Sequence, residues 1–152
     1  NNGSTIKIIA LEKPIKADLR LENNTKVSIT GVIDRIDEKN GVVQIIDYKT
    51  GLVSSSNLTI KEMSLICSDP LRTKAMQLMC YVWMYHKSNI CEKISAGIIS
   101  FRNLSNGVMK LKIKNSQTDL IDSSSIISFE KELKGLISEI MDPKKNFKDS
   151  EA

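Results

Sequence analysis

In 152 residues the sequence has one histidine, three cysteines, three prolines and one tryptophan. The single histidine, His86, excludes catalysis by a histidine pair and any multi-histidine metal site. It stands near the end of a helical segment and reads as structural or solvated. Cys67, Cys80 and Cys91 are widely spaced and odd in number, so they form neither a CxxC zinc site nor a disulfide framework. Reduced, mostly buried thiols in a cytoplasmic protein are expected. No apolar run approaches the ~20 residues of a membrane-spanning helix, so no membrane contact is expected. A glycine-rich phosphate loop is missing, which leaves an NTPase without support. The opening Asn1-Asn2-Gly3-Ser4 lacks both a signal-peptide pattern and an initiating methionine. The expectation is a piece of a larger protein.

What remains is ordinary in bulk and unusual in detail. Hydrophobic residues make up 41% and charged residues 26%, the balance of a globular chain. The length suits one domain, 1–152, with a core of its own. A net charge of +4 is compatible with nucleic acid without demanding it.

Residues 5–11 and 15–22 read as strands, with Pro14 between them. Residues 26–38 and 42–49 read as a hairpin around Asn40-Gly41, a strong two-residue turn signal. Residues 50–70 form a long serine-rich connection, of a kind that is often functional. From Leu71 to about Lys87 no glycine or proline interrupts a helix that Asp69-Pro70 can start. Its apolar residues nearly encircle it, the mark of a buried helix. Residues 93–101 and 108–114 read as two further strands, and an amphipathic helix follows from about Ile126 to Met141. The tail from Pro143 to Ala152 is polar and expected to fray.

The hairpin carries the chemistry. With Asn40-Gly41 as the loop, Asp37 faces Gln44, Ile36 faces Ile45 and Asp34 faces Asp47. Opposed side chains on antiparallel strands lie roughly 4.5–5.5 Å apart, and like charges there repel. A divalent cation between the two carboxylates removes the repulsion. Val32, Asp34 and Ile36 should share a face, as should Val43, Ile45, Asp47 and Lys49. A solvated sheet face with an exposed Asp–Lys pair is the other reading of the same spacing.

The central helix holds a second polar group in apolar company. Gln77 and Tyr81 lie one turn apart on one face, and Lys74 precedes them on the same side. They either bond the backbone of a neighbouring loop or face a polar site. Lys110, Lys112 and Lys114 alternate with Met109, Leu111 and Ile113. Such lysines serve solubility and edge protection or line a nucleic-acid path. Lys144, Lys145 and Lys148 read as a solvated run.

The order Gly-Val-Ile-Asp34-Arg-Ile-Asp, then Ile-Asp47-Tyr-Lys49-Thr-Gly, then Gln77-x-x-x-Tyr81 resembles the PD-(D/E)XK nuclease superfamily. More narrowly, it resembles the RecB-type branch, which includes nuclease domains of bacterial helicase–nuclease repair enzymes such as the AddB subunit. The resemblance covers residues 26–85 by motif. It implies an α/β restriction-endonuclease-like core, a mixed, mostly antiparallel sheet flanked by helices. It also implies metal-dependent hydrolysis of DNA, exonucleolytic and within repair or recombination, with a helicase domain or subunit as partner. Asp34 and Asp47 match the metal ligands, and the Tyr48 carbonyl completes the coordination of Mg²⁺ or Mn²⁺. Lys49 matches the catalytic lysine. Gln77 and Tyr81 match the element that supports the site and contacts DNA, and Lys74 joins them as a candidate DNA contact.

The family carries a further helix upstream, and this chain starts on a strand, so an incomplete site and an inactive fragment are also expected. The cysteines do not match the iron–sulfur spacing of some members. A non-catalytic DNA-binding or assembly module that keeps this core is the alternative.

Overall fold

The computed structural model describes residue 3 and residues 5–146. Lys148 and the end of the polar tail lie outside the described residues. The chain runs β1 (Ile6–Arg20), β2 (Lys26–Lys39), β3 (Val42–Lys49), β4 (Thr59–Ile60), α1 (Thr73–Ser88), β5 (Ile94–Ser100), β6 (Met109–Lys110), β7 (Lys112–Ile113) and α2 (Ser123–Ile140). Five strands form one sheet in the order β1-β2-β3-β5-β6, and β4 pairs with β7 apart from it. Only β3 and β5 are parallel in the large sheet. This is the mixed, mostly antiparallel sheet with helices that the restriction-endonuclease-like core requires.

The β2–β3 turn forms where the sequence places it. Asn40 and Gly41 have φ of 53° and 77°, the paired left-handed conformation of a type I′ turn. The register follows: Lys39 opposes Val42, Asp37 opposes Gln44 and Ile36 opposes Ile45.

Two strand expectations need correction, at residues 5–22 and 108–114. Residues 5–11 and 15–22 are one strand, β1, with Pro14 inside it. Proline is tolerated because β1 is an edge strand, where a missing N–H costs no ladder bond. The serine-rich stretch 50–70 is ordered. It holds two short 3₁₀ turns and β4, and buries Val53, Leu58, Ile60 and Ile66. Arg72 ties it to α1 by donating to the carbonyls of Ser56 and Thr59. The stretch 108–114 splits at Leu111, because β6 joins β5 while β7 joins β4.

Alternation along β2 also breaks. Val32 is exposed, whereas Ile33 and Ile36 are both buried, so Val32 does not share the buried face of Ile36. The partner strand explains the change. β1 carries a register shift between Ile8 and Ala10, and Glu12 has a φ of 47°. A bulge raises the local twist, and these irregularities of β1 lie opposite residues 33–37 of β2.

The core lies between the sheet and α1. Ile15, Ala17 and Leu19 of β1, Ile36 of β2 and Ile45 of β3 meet Leu78, Met79, Val82 and Trp83 of α1. α2 packs on α1 through Phe129 and Leu133. The Trp83 indole N–H donates to Glu130 Oε2 at 2.6 Å, which satisfies the polar atom of a fully buried ring. Among the described residues no helix is long and apolar enough to cross a membrane.

Candidate active site

The site forms where β3 ends and α1 crosses the sheet. Asp47 and Lys49 are two apart on β3, so both side chains leave on the face that α1 covers. On α1, Gln77 and Tyr81 are one turn apart and project onto the same strip of sheet. Gly31 allows the approach. A Cβ there would stand 3.0 Å from Tyr81 Cε1 and 3.3 Å from Met84 Cε, so any larger residue would require these side chains to give by a few tenths of an ångström.

These residues form one continuous polar chain. Lys49 Nζ lies 2.7 Å from Asp47 Oδ2 and donates to Gln77 Oε1 at 2.7 Å. Gln77 Nε2 donates to the Tyr81 hydroxyl oxygen at 3.1 Å. The Tyr81 O–H is therefore free to donate outward. Of the two readings of Gln77 and Tyr81, the polar site is the one the geometry supports. Lys74 is half-buried at the start of α1 and stands outside this chain.

Asp34 arrives from β2. The β2–β3 ladder ends at Arg35–Ile46, one step before Asp34 would oppose Asp47. That expected direct pairing is absent, because the two strands have already begun to diverge. Asp34 Oδ2 instead accepts from the Tyr48 backbone N–H at 2.8 Å. The carboxylate is thus pinned to the residue between Asp47 and Lys49. The Tyr48 ring stacks on Phe101, with centroids 5.6 Å apart and planes 12° from parallel.

The electrostatics favour a cation. Asp47 is 4% exposed, and its Oδ2 lies 2.7 Å from the Lys49 ammonium. An ionised carboxylate has further lone pairs beside this one contact. Burial pushes the Asp47 carboxyl above its usual value of 3.8; Lys49 pulls it back and Asp34 raises it further. A buried carboxylate beside a second carboxylate fits a hard cation that completes its shell with water and phosphate. No group of three His, Cys, Asp or Glu side chains among the described residues forms a closed cage, so weak binding is expected.

The sign of the pH effect follows. The folded protein holds the Asp47 proton more tightly than the unfolded chain does. Asp47 therefore favours folding at low pH, and this contribution is lost as pH rises through its raised pKa. A cation needs the ionised form. Mn²⁺ affinity measured by calorimetry should fall as pH drops through the raised Asp47 value, while most exposed carboxylates are still charged. Affinity that holds constant down to pH ~4 would contradict this, since ordinary carboxylates titrate only near there.

The fold brings together two groups that the sequence reading did not join. Leu11, Glu12 and Phe101 line a cavity of about 430 Å³ together with Asp34 and Tyr48. Glu12 is brought there by a strained left-handed backbone, which no residue pattern announces. On the opposite sheet face, Asp37 is 1% exposed and accepts from Arg35 Nε at 3.0 Å. Lys110 donates there to Gln44 and to Ser95. Lys110 is thus half-buried and bonded, unlike the freely solvated lysine of a simple outward face.

The sequence matches the family model of the PD-(D/E)XK nuclease superfamily over residues 2–151. No curated protein matches it. Among solved structures it is similar to one described as "Crystal structure of SSO0001", at 17% identity and a TM-score of 0.40. The match covers 91% of this chain and 61% of that one, so this chain spans less than two thirds of that protein's length.

Proposed function

Because the chain belongs to the PD-(D/E)XK nuclease superfamily, we propose that it supplies the site of a Mg²⁺- or Mn²⁺-dependent deoxyribonuclease. The reading extends to an exonuclease of the RecB/AddB type, acting in repair or recombination beside a helicase domain or subunit. Three free cysteines favour a reducing, cytoplasmic setting. The observation that carries the proposal is the chain Asp47–Lys49–Gln77–Tyr81 converging with Asp34 at one end of the sheet.

Asp34, Asp47 and the Tyr48 carbonyl would hold the metal. When bound, it supplies Lewis-acid polarisation of a phosphoryl oxygen and a more acidic water. The remaining work belongs to the side chains. Lys49 faces the charge that grows on the phosphoryl oxygens as water adds and the P–O bond to the leaving sugar breaks. Gln77 fixes the Lys49 ammonium, so the charge is in place before the substrate arrives. Tyr81 stays protonated, since burial raises its pKa and the nearby Asp47 and Asp34 add to the rise. It can therefore donate to a phosphate or sugar oxygen of the strand.

A gel assay with labelled DNA tests the reading. Cleavage is expected with Mg²⁺ or Mn²⁺ and none with EDTA. DNA binding without cleavage in any divalent metal would identify the alternative, a non-catalytic binding or assembly module.

A further inference from the structure

We propose that the cavity beside Asp34 seats an unpaired nucleobase of the substrate strand, stacked on Phe101. The inference rests on the nuclease reading and adds a substrate class to it: single-stranded DNA or a frayed end.

Phe101 is 54% exposed, although its ring is already stacked on Tyr48. One face is covered and a large part of the ring is open to solvent. An aromatic ring left in this state offers a flat, apolar surface beside a polar site. Leu11, 60% exposed, forms a second apolar wall of the same cavity. The volume of about 430 Å³ admits a base with room for its sugar.

The platform is rigidly tied to the candidate active site. The Phe101 N–H donates to the Lys49 carbonyl at 2.9 Å. Ser100 Oγ donates to the Gly51 carbonyl at 2.7 Å. These bonds fix the Phe101 backbone at the end of β5 beside Lys49, while its ring lies with Tyr48 on the sheet face opposite the Asp47 and Lys49 side chains. A base stacked there is held at a set offset from Asp34, which lines the same cavity. This is the positioning that a displacement at phosphorus needs.

The chemistry selects the base's pairing state. Every nucleobase presents a π face, so stacking tolerates any sequence. In a duplex both faces are already stacked on neighbours, and a base must leave the helix to reach a pocket. Glu12, at the cavity wall, only accepts hydrogen bonds when ionised and so suits an exocyclic amino group.

Fluorescence of 2-aminopurine tests this without cleavage. Single-stranded oligonucleotides carry the probe at one terminus or the other and are titrated with protein in EDTA. The wild type should quench one of them on binding, and should not quench the probe held inside a duplex. Phe101→Ala should abolish the quenching and weaken binding about 5- to 150-fold, the range for losing one base–aromatic stack. Phe101→Leu keeps apolar bulk without a π face and should behave like alanine, whereas Phe101→Trp should keep the signal. Melting temperatures of the variants separate lost stacking from lost folding, and the leucine variant carries the test if the alanine variant unfolds. Wild-type quenching in Phe101→Leu would overturn the stacking site. A wild type that quenches the probe yet never cleaves with any divalent metal would overturn the nuclease reading alone. A wild type that binds no DNA would overturn both.

Discussion

Lys49→Ala lowers the rate of DNA cleavage by about 100- to 1,000-fold and leaves DNA affinity nearly unchanged. The first half follows from what the ammonium does. It sits 2.7 Å from Asp47 and 2.7 Å from the Gln77 amide oxygen, held before any substrate binds. Removing one preorganised stabiliser of transition-state charge costs about 3–4 kcal/mol in comparable sites. The second half follows because affinity for DNA is spread over many phosphate contacts and falls with salt. Losing one cation of a chain with 22 Lys and Arg changes that sum little. The variant also strips Asp47 of the charge that opposes its raised pKa. The pH below which metal binding fails should therefore move up. Single-turnover cleavage paired with anisotropy binding checks all three outcomes. A parallel loss of binding and cleavage would make Lys49 a general DNA contact.

Asp47→Asn should remove measurable binding of Mn²⁺ by calorimetry and cleavage with it. The amide keeps the shape of the carboxylate and loses its charge, which a hard cation requires. The fold should not suffer. Asp47 is buried, and burial raises its pKa despite the Lys49 contact, so its ionised form opposes folding at neutral pH. The metal-free variant should melt at the same temperature as the wild type or higher. Strain kept for function and relieved by substitution is a common trade. The Lys49 partner is 29% exposed and can turn to water, so no stranded buried charge is left. A melting temperature lower by several degrees would mean that the Asp47–Lys49 pair is structural. Asp34→Asn should also abolish metal binding, but it weakens the bond from the Tyr48 N–H and so is the less clean probe.

Much of this site was legible because its parts are local. Asn40-Gly41 dictates a type I′ turn through two positive φ angles, and the turn sets which residues oppose each other as far as Arg35 and Ile46. Period-two alternation then puts Asp47 and Lys49 on one face, and helical spacing puts Gln77 beside Tyr81. The buried character of α1 followed from apolar residues on every side of it.

What stayed hidden depends on contacts between distant segments. The bond from Lys49 to Gln77 spans 28 positions and depends on how α1 packs across the sheet, close over Gly31. The β2–β3 ladder ends before Asp34, and the register shift of β1 opposite Ile36 and Asp37 leaves no mark in the sequence of β2. The parallel pairing of β5 with β3 fastens Phe101 to Lys49, and no local pattern encodes which strand becomes β3's second neighbour. The short strands β6 and β7 read as one because alternation continues through Leu111, while the sheets they join differ. Sequence alone thus named the residues of the candidate site and the elements that carry them, since turns and periodicities act over a few positions. Only the tertiary structure decided their distances, the burial of Asp47 and the aromatic platform, since each is set by how separate elements pack.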